Sequence, residues 1–196
     1  MFASVNDIPA GAIVLTFGQG RYFPPYWPPQ KVALEFLKEE LYEQERIYQR
    51  GRGCTLCDAT HVRAITEQGC RFFEMTSPRG RYVPLSELIG KRLAVCISRQ
   101  PFDLDVFRAE CAALDGEKYD IIELWDFMVS GWLKLPIRWA LFDKVNRTVC
   151  STAIARCLAR AGFVFPAHLR PKDVYPAWYE NRPGYFDVTY MEPAIA

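Results

Sequence analysis

The apolar positions of this chain fall into short β-branched runs broken by turn residues, with three stretches in which they recur at helical spacing. Gly11-Ala12-Ile13-Val14-Leu15-Thr16-Phe17 is a β-branched and apolar run closed by Gly18-Gln19-Gly20, which predicts a buried strand. Thr60–Thr66 and Cys70–Thr76 flank Glu67-Gln68-Gly69 and predict a β-hairpin. If Gln68-Gly69 is the turn, His61 stands opposite Thr76, and His61 and Glu74 become diagonal neighbours on one face; a three-residue turn would move Glu74 to the other face. Ser77–Tyr82 reads as a turn, Val83–Leu88 as a short docking segment and Arg92–Ser98 as a further strand.

Helical spacing appears first over Lys31–Arg50, where Leu34, Leu37, Leu41 and Tyr48 form one stripe with charges opposite. It returns over Asp103–Leu114, with Leu104, Phe107, Cys111 and Leu114 inward. A third helix is predicted from Cys150, where Ile154, Cys157, Leu158 and Ala161 recur until Gly162 stops the run. Arg21–Pro29 is too rich in proline for helix or central strand, and its aromatics read as a cap on the core. Ile121–Phe142 spaces Trp125, Trp132 and Trp139 seven apart, yet its charged residues and Pro136 exclude a membrane span. The remainder, from Phe163 to Ala196, reads as loop with a helix start at Pro171–Val174.

Composition narrows the class. A chain of 196 residues with 50% hydrophobic content can fill one core, so a single domain is expected, with a helical insertion at about 28–53. Twenty-four basic residues against 23 acidic ones leave +1, without the electrostatic footprint of a general nucleic-acid binder. The start has neither a basic region nor an apolar run, so no signal peptide is read and synthesis in the cytoplasm is expected. Seven cysteines, an odd number, are read as mostly reduced. Cys54-x-x-Cys57 has the spacing of a zinc or redox pair, but His61 is the only nearby addition to its ligands and zinc needs four. Neither metal nor cofactor is expected.

The candidate chemistry lies in three residues. Cys150 opens a helix, where unpaired N–H groups and the macrodipole favour thiolate over thiol. A thiol nucleophile needs a base, and the base needs a group that fixes its orientation. Of the two histidines, His168 is in the proline-flanked tail, whereas His61 stands on a predicted strand with Glu74 within reach on the next. Against this, Cys150 shares a stripe with Ile154, Cys157 and Leu158 and on this stretch alone reads first as core, and a histidine beside a carboxylate is as often only a structural pair.

Gly11-Ala12-Ile13-Val14, His61-Val62-Arg63-Ala64-Ile65, Phe73-Glu74-Met75 with Pro84-Leu85, Gly116-Glu117-Lys118-Tyr119-Asp120 and Cys150-Ser151-Thr152 through Gly162 together resemble, in order, the circularly permuted papain-like enzymes of NlpC type, the YiiX-like group. The resemblance implies an α+β fold, an antiparallel half-barrel packed against the nucleophile helix. It also implies Cys150 as nucleophile, His61 as base and Glu74 as orienting group, with Tyr119 bordering the substrate or donating to the oxyanion. Where Ala12, Arg63 and Thr152 stand, the family commonly has an acidic residue, glycine and an acidic residue. Arg63, two residues from His61, would disfavour the imidazolium, or would bind a substrate carboxylate.

The expected function is therefore a cysteine peptidase or amidase, with peptidoglycan stem peptides or another amide of small amino acids as the implied substrate. Reaching a cell wall without a signal peptide would need delivery in a phage particle or another apparatus. Two alternatives stand beside it. One is a lipid thioesterase or acyltransferase using Trp125–Phe142 for an acyl chain; the other is a structural or binding protein that kept the fold and lost the activity. The Lys31–Arg50 helix and the Trp125–Phe142 stretch are the candidate surfaces for a protein partner.

Overall fold

Strand β1 (Ile13–Phe17) is buried on both faces through Thr16, as its β-branched and apolar run predicts. The structure, a computed structural model, describes residues 2–17, 59–76, 79–118, 150–167 and 169–193. Around β1 stand β2 (Ala59–Glu67), β3 (Arg71–Met75), β4 (Gly80–Pro84), β5 (Leu93–Ser98) and β6 (Phe186–Met191), in the sheet order β4-β3-β2-β1-β5-β6. Every neighbouring pair is antiparallel. Helices α1 (Leu104–Ala113), α2 (Cys150–Arg160) and α3 (Pro176–Glu180) complete the described elements, together with short 3-10 turns at Val5–Asp7, Leu85–Leu88 and Pro171–Asp173.

Each side of the sheet has its own core, because successive strand residues point to opposite faces. On one side Ile13, Leu15, Val62, Ala64, Phe73 and Met75 pack with Phe107 and Cys111 of α1, with Cys150, Ile154, Cys157 and Leu158 of α2, and with Trp178 of α3. On the other, Val14, Ile65, Phe72, Val83, Leu93 and Val95 pack with Val5 and with Leu85 and Leu88 of the 3-10 turns. The fold is thus α+β.

Local chemistry sets the helix ends. The Asp103 carboxylate accepts from the N–H groups of Asp105 and Val106 at 2.9 and 3.0 Å and caps α1. The Asp103 N–H donates to the Ala161 carbonyl, which joins the start of α1 to the end of α2. Gly162, at φ +95°, ends α2 as its position predicts, and the Phe163 N–H turns back to the Leu158 carbonyl. Arg108 of α1 donates to the Thr66 carbonyl at 2.8 Å and ties this helix pair to β2.

Two sequence expectations are corrected. Ser77–Tyr82 was expected as a turn, but Gly80–Pro84 is strand β4, paired along β3 from Met75↔Gly80 to Arg71↔Pro84. Pro84 sits at the last position of an edge strand, where a missing N–H is tolerated. The tail, expected as loop-rich with a helix start at Pro171–Val174, has a 3-10 turn at Pro171–Asp173 and also contains α3 and β6, which were not expected. Gly80 has a further constraint: a Cβ there would overlap the Leu114 carbonyl oxygen and lie 2.9 Å from Met75 Sδ. Gly80→Ala should therefore lower stability by about 2 kcal/mol or more, read as a fall in the denaturant midpoint at unchanged slope. An unchanged midpoint would refute the close approach of the α1 end to this edge.

Candidate active site

Register brings the first two candidates together. Arg63 pairs with Glu74, Ala64 with Phe73 and Ile65 with Phe72, so His61 and Glu74 are diagonal neighbours, as the two-residue-turn alignment requires. The turn itself spans Gln68–Cys70, and a shift between Ile65 and Glu67 absorbs the extra residue. His61 Nε2 lies 3.3 Å from Glu74 Oε2. The imidazole is 14% exposed and the carboxylate 5%.

Glu74 is held from three directions. Beyond His61, Arg63 Nε donates to Oε2 at 3.0 Å, and Arg81 Nε and Nη2 donate to Oε1 at 2.9 and 2.7 Å. Arg63 is 11% exposed, donates through Nη1 to Thr16 Oγ1, and lies over the Phe72 ring. It belongs to the cradle of Glu74. Burial alone would raise the Glu74 pKa, but the bond to His61 and the charges of its neighbours hold it down at about 2. The His61 pKa is lowered, first by burial and then by Arg63, against the opposing pull of Glu74. With His61 neutral above that lowered value, Arg63 and Arg81 are the charges that keep Glu74 ionised near neutrality.

Cys150 stands elsewhere. It is the first described residue of α2, is 5% exposed, and belongs to the core that contains Val62, Ala64, Phe73 and Met75. His61 pairs with Thr16, Arg63 with Val14, and Glu74 alternates with Phe73, so the His61–Glu74 pair faces the opposite side of the sheet. The structure joins His61 to Glu74 and sets Cys150 on the other face of β2. The thiol end of α2 lies about 16 Å along the helix from its Asp103–Ala161 anchor, at 1.5 Å per residue.

Tyr179 is a neighbour of Cys150 that the sequence reading missed. Its hydroxyl donates to the Ser151 carbonyl at 3.1 Å, inside the first turn of α2. Burial, and then Cys150 and the other nearby thiols, push its pKa well above the ordinary phenol range, so it stays a donor. The available signal was Pro176, a residue suited to a helix's first position, followed by Trp178-Tyr179. Tyr119, Cys54, Cys57, His168, the Lys31–Arg50 helix with its proposed insertion, and Trp125–Phe142 lie outside the described residues. Among the described residues no group of three His, Cys, Asp or Glu is placed to hold a metal ion, and no helix is long and apolar enough to cross a membrane.

No family model matches this chain, and no curated protein matches it. The functional reading therefore rests on the site itself.

Proposed function

We propose that the protein is a cysteine hydrolase of the permuted papain-like kind that cleaves amide or peptide bonds. The observation that carries the reading is the His61–Glu74 pair: an imidazole of low exposure held at 3.3 Å by a carboxylate that remains ionised at neutral pH. Such a carboxylate fixes ring orientation and stabilises the imidazolium when it forms. A thiol at the first turn of a helix packed on the same two strands supplies the nucleophile. In this scheme His61 takes the Cys150 thiol proton, the sulfur attacks the carbonyl carbon, and the imidazolium passes that proton to the departing amine as the C–N bond breaks, leaving a thioester. Water, deprotonated by His61, then attacks the thioester; the acid leaves and the thiol is restored. Peptidoglycan stem peptides are the substrate class the sequence resemblance suggests.

Strand alternation separates thiol and ring across β2, so the scheme requires the first turn of α2 to meet His61 around the end of that strand. The same separation favours a second reading, a binding protein that retains the fold without the chemistry. Alkylation of Cys150 by iodoacetamide, followed against pH by peptide mass spectrometry, decides between them. A working pair gives Cys150 reactivity well below the ordinary thiol range near 8.5, and His61→Ala removes that acidic limb. Identical profiles in both proteins, or no reaction while folded, would overturn Cys150 as the nucleophile.

A further inference from the structure

The far edge of the His61 face carries two like charges set directly against each other. Beyond β4 the chain from Gly116 to Lys118 runs antiparallel to it: the Gly80 N–H donates to the Glu117 carbonyl and the Gly116 N–H to the Gly80 carbonyl, both at 2.9 Å. This pairing puts Arg79 opposite Lys118. Residues directly opposite in an antiparallel pair project to the same side, and successive strand residues alternate, so Arg79, Arg81 and Lys118 share one face. Arg81 shows which face it is, because it pairs with Glu74 in register and donates to that carboxylate. All three cations are exposed, and among the described residues neither Arg79 nor Lys118 has a hydrogen bond or ion pair through its side chain. Like charges directly opposite on a sheet are destabilising. Glu74 does not relieve them, since it already accepts from His61's neighbour Arg63 and from Arg81.

We propose that Arg79, Lys118 and the exposed side of Arg81 bind an extended acidic peptide with carboxylates at alternate positions. One carboxylate between Arg79 and Lys118 would convert a repulsion into two charge-assisted bonds. A second, two residues along, would meet Arg81, because alternate residues recur at the same spacing, roughly 6.5–7 Å, in both extended chains. Strand β4 is two strands from β2, so the site lies roughly 10 Å from His61, a span of about three extended residues. A peptide fits this placement better than a nucleic acid does: three cations at one end of β4, in a chain of net charge +1, make a local patch and not a continuous basic stripe. The binding site stands without the hydrolase reading; only the step from bound peptide to substrate rests on it.

Fluorescence anisotropy tests the site on the full chain. Cys150→Ala protein at low salt is added to labelled Ala-Glu-Ala-Glu-Ala, to its Ala-Gln-Ala-Gln-Ala counterpart and to a labelled short oligothymidylate. The glutamate peptide should bind saturably and the glutamine peptide should not. Arg79→Gln and Lys118→Gln should each weaken the affinity about fivefold or more, and Lys118→Arg should retain it. Denaturant midpoints of the free protein read the opposed charges themselves: Lys118→Glu should raise the midpoint, by setting an attraction where a repulsion stood, while abolishing peptide binding. Unchanged affinity in both Gln variants, or equal binding of the glutamine peptide, would overturn the site. Tighter binding of the oligothymidylate than of the glutamate peptide would overturn the peptide assignment. An unchanged or lower midpoint in Lys118→Glu would overturn the opposition of Arg79 and Lys118. Because the titrated protein lacks the Cys150 thiol, loss of this site and loss of the thiol–imidazole pair are read in separate experiments.

Discussion

Replacing Glu74 by alanine should destabilise the fold by about 3–5 kcal/mol, the range for removing one partner of a buried charge network. The cost arises less from the bonds lost than from the cation left behind. Arg63, 11% exposed, would keep Thr16 and the Phe72 ring but lose its bond to the Glu74 carboxylate. Arg81 can turn to solvent at little cost, being mostly exposed already. The acid dependence follows from the same geometry. A carboxylate lowered from about 4.5 to about 2 on folding contributes stability that is complete above pH 4.5 and lost as pH falls toward 2. At about 1.4 kcal/mol per pH unit this is on the order of 3 kcal/mol. His61, whose pKa is also lowered on folding, contributes stability that is complete above its ordinary value of 6.5 and declines below it. Denaturation midpoints measured from pH 8 to pH 2 should fall in two stages. His61→Gln should remove the upper stage and Glu74→Gln the lower. A Glu74→Ala protein within 1 kcal/mol of wild type at pH 7 would show that Arg63 does not depend on this carboxylate.

Trp178→Ala should cost about as much, 3–5 kcal/mol, by a different route. Trp178 is 1% exposed, and its ring lies 5.3–5.9 Å from those of Phe165, Tyr179, Tyr185 and Phe186. Helix α3 is only Pro176–Glu180, too short to persist without this anchor. Its loss would also release Tyr179 from the Ser151 carbonyl in the first turn of α2. Tyr179→Phe keeps the packing and removes only that bond, so it should cost about 1 kcal/mol. Thermal melts of the two variants separate the contributions. If Tyr179→Phe proved the more damaging, the hydroxyl rather than the aromatic cluster would hold this corner.

The elements legible in the sequence were those whose signals are local. The apolar run Ile13–Phe17, the hairpin through His61 and Glu74, and the helices begun at Asp103 and Cys150 are specified by alternation, helical spacing and caps within a few residues. Hence the His61–Glu74 pairing could be reached by counting register. Strand β6 was missed because Phe-Asp-Val-Thr-Tyr-Met follows a Pro-Gly turn and has Asp187 and Tyr190 exposed, a weak pattern that gains its meaning only by pairing with β5. Strand β4 was missed because Gly80 and Pro84 bracket it; both are breakers in isolation and both fit an edge. Counting register cannot reveal which face of a hairpin a distant helix will cover. That choice is tertiary, and it is what sets Cys150 opposite the pair that the sequence had joined to it.

The sheet order also has a meaning in time. Strand β5, with Leu93, Ala94, Val95 and Cys96 all buried, is flanked by β1, made before it, and by β6, made after both main helices. During synthesis the edge of β5 that β6 pairs is therefore made before its partner, and α2 and the aromatic corner emerge in between. An unpaired edge of this kind is a template for other chains. Until β6 arrives, the nascent protein is most exposed to misassembly beside its own centre.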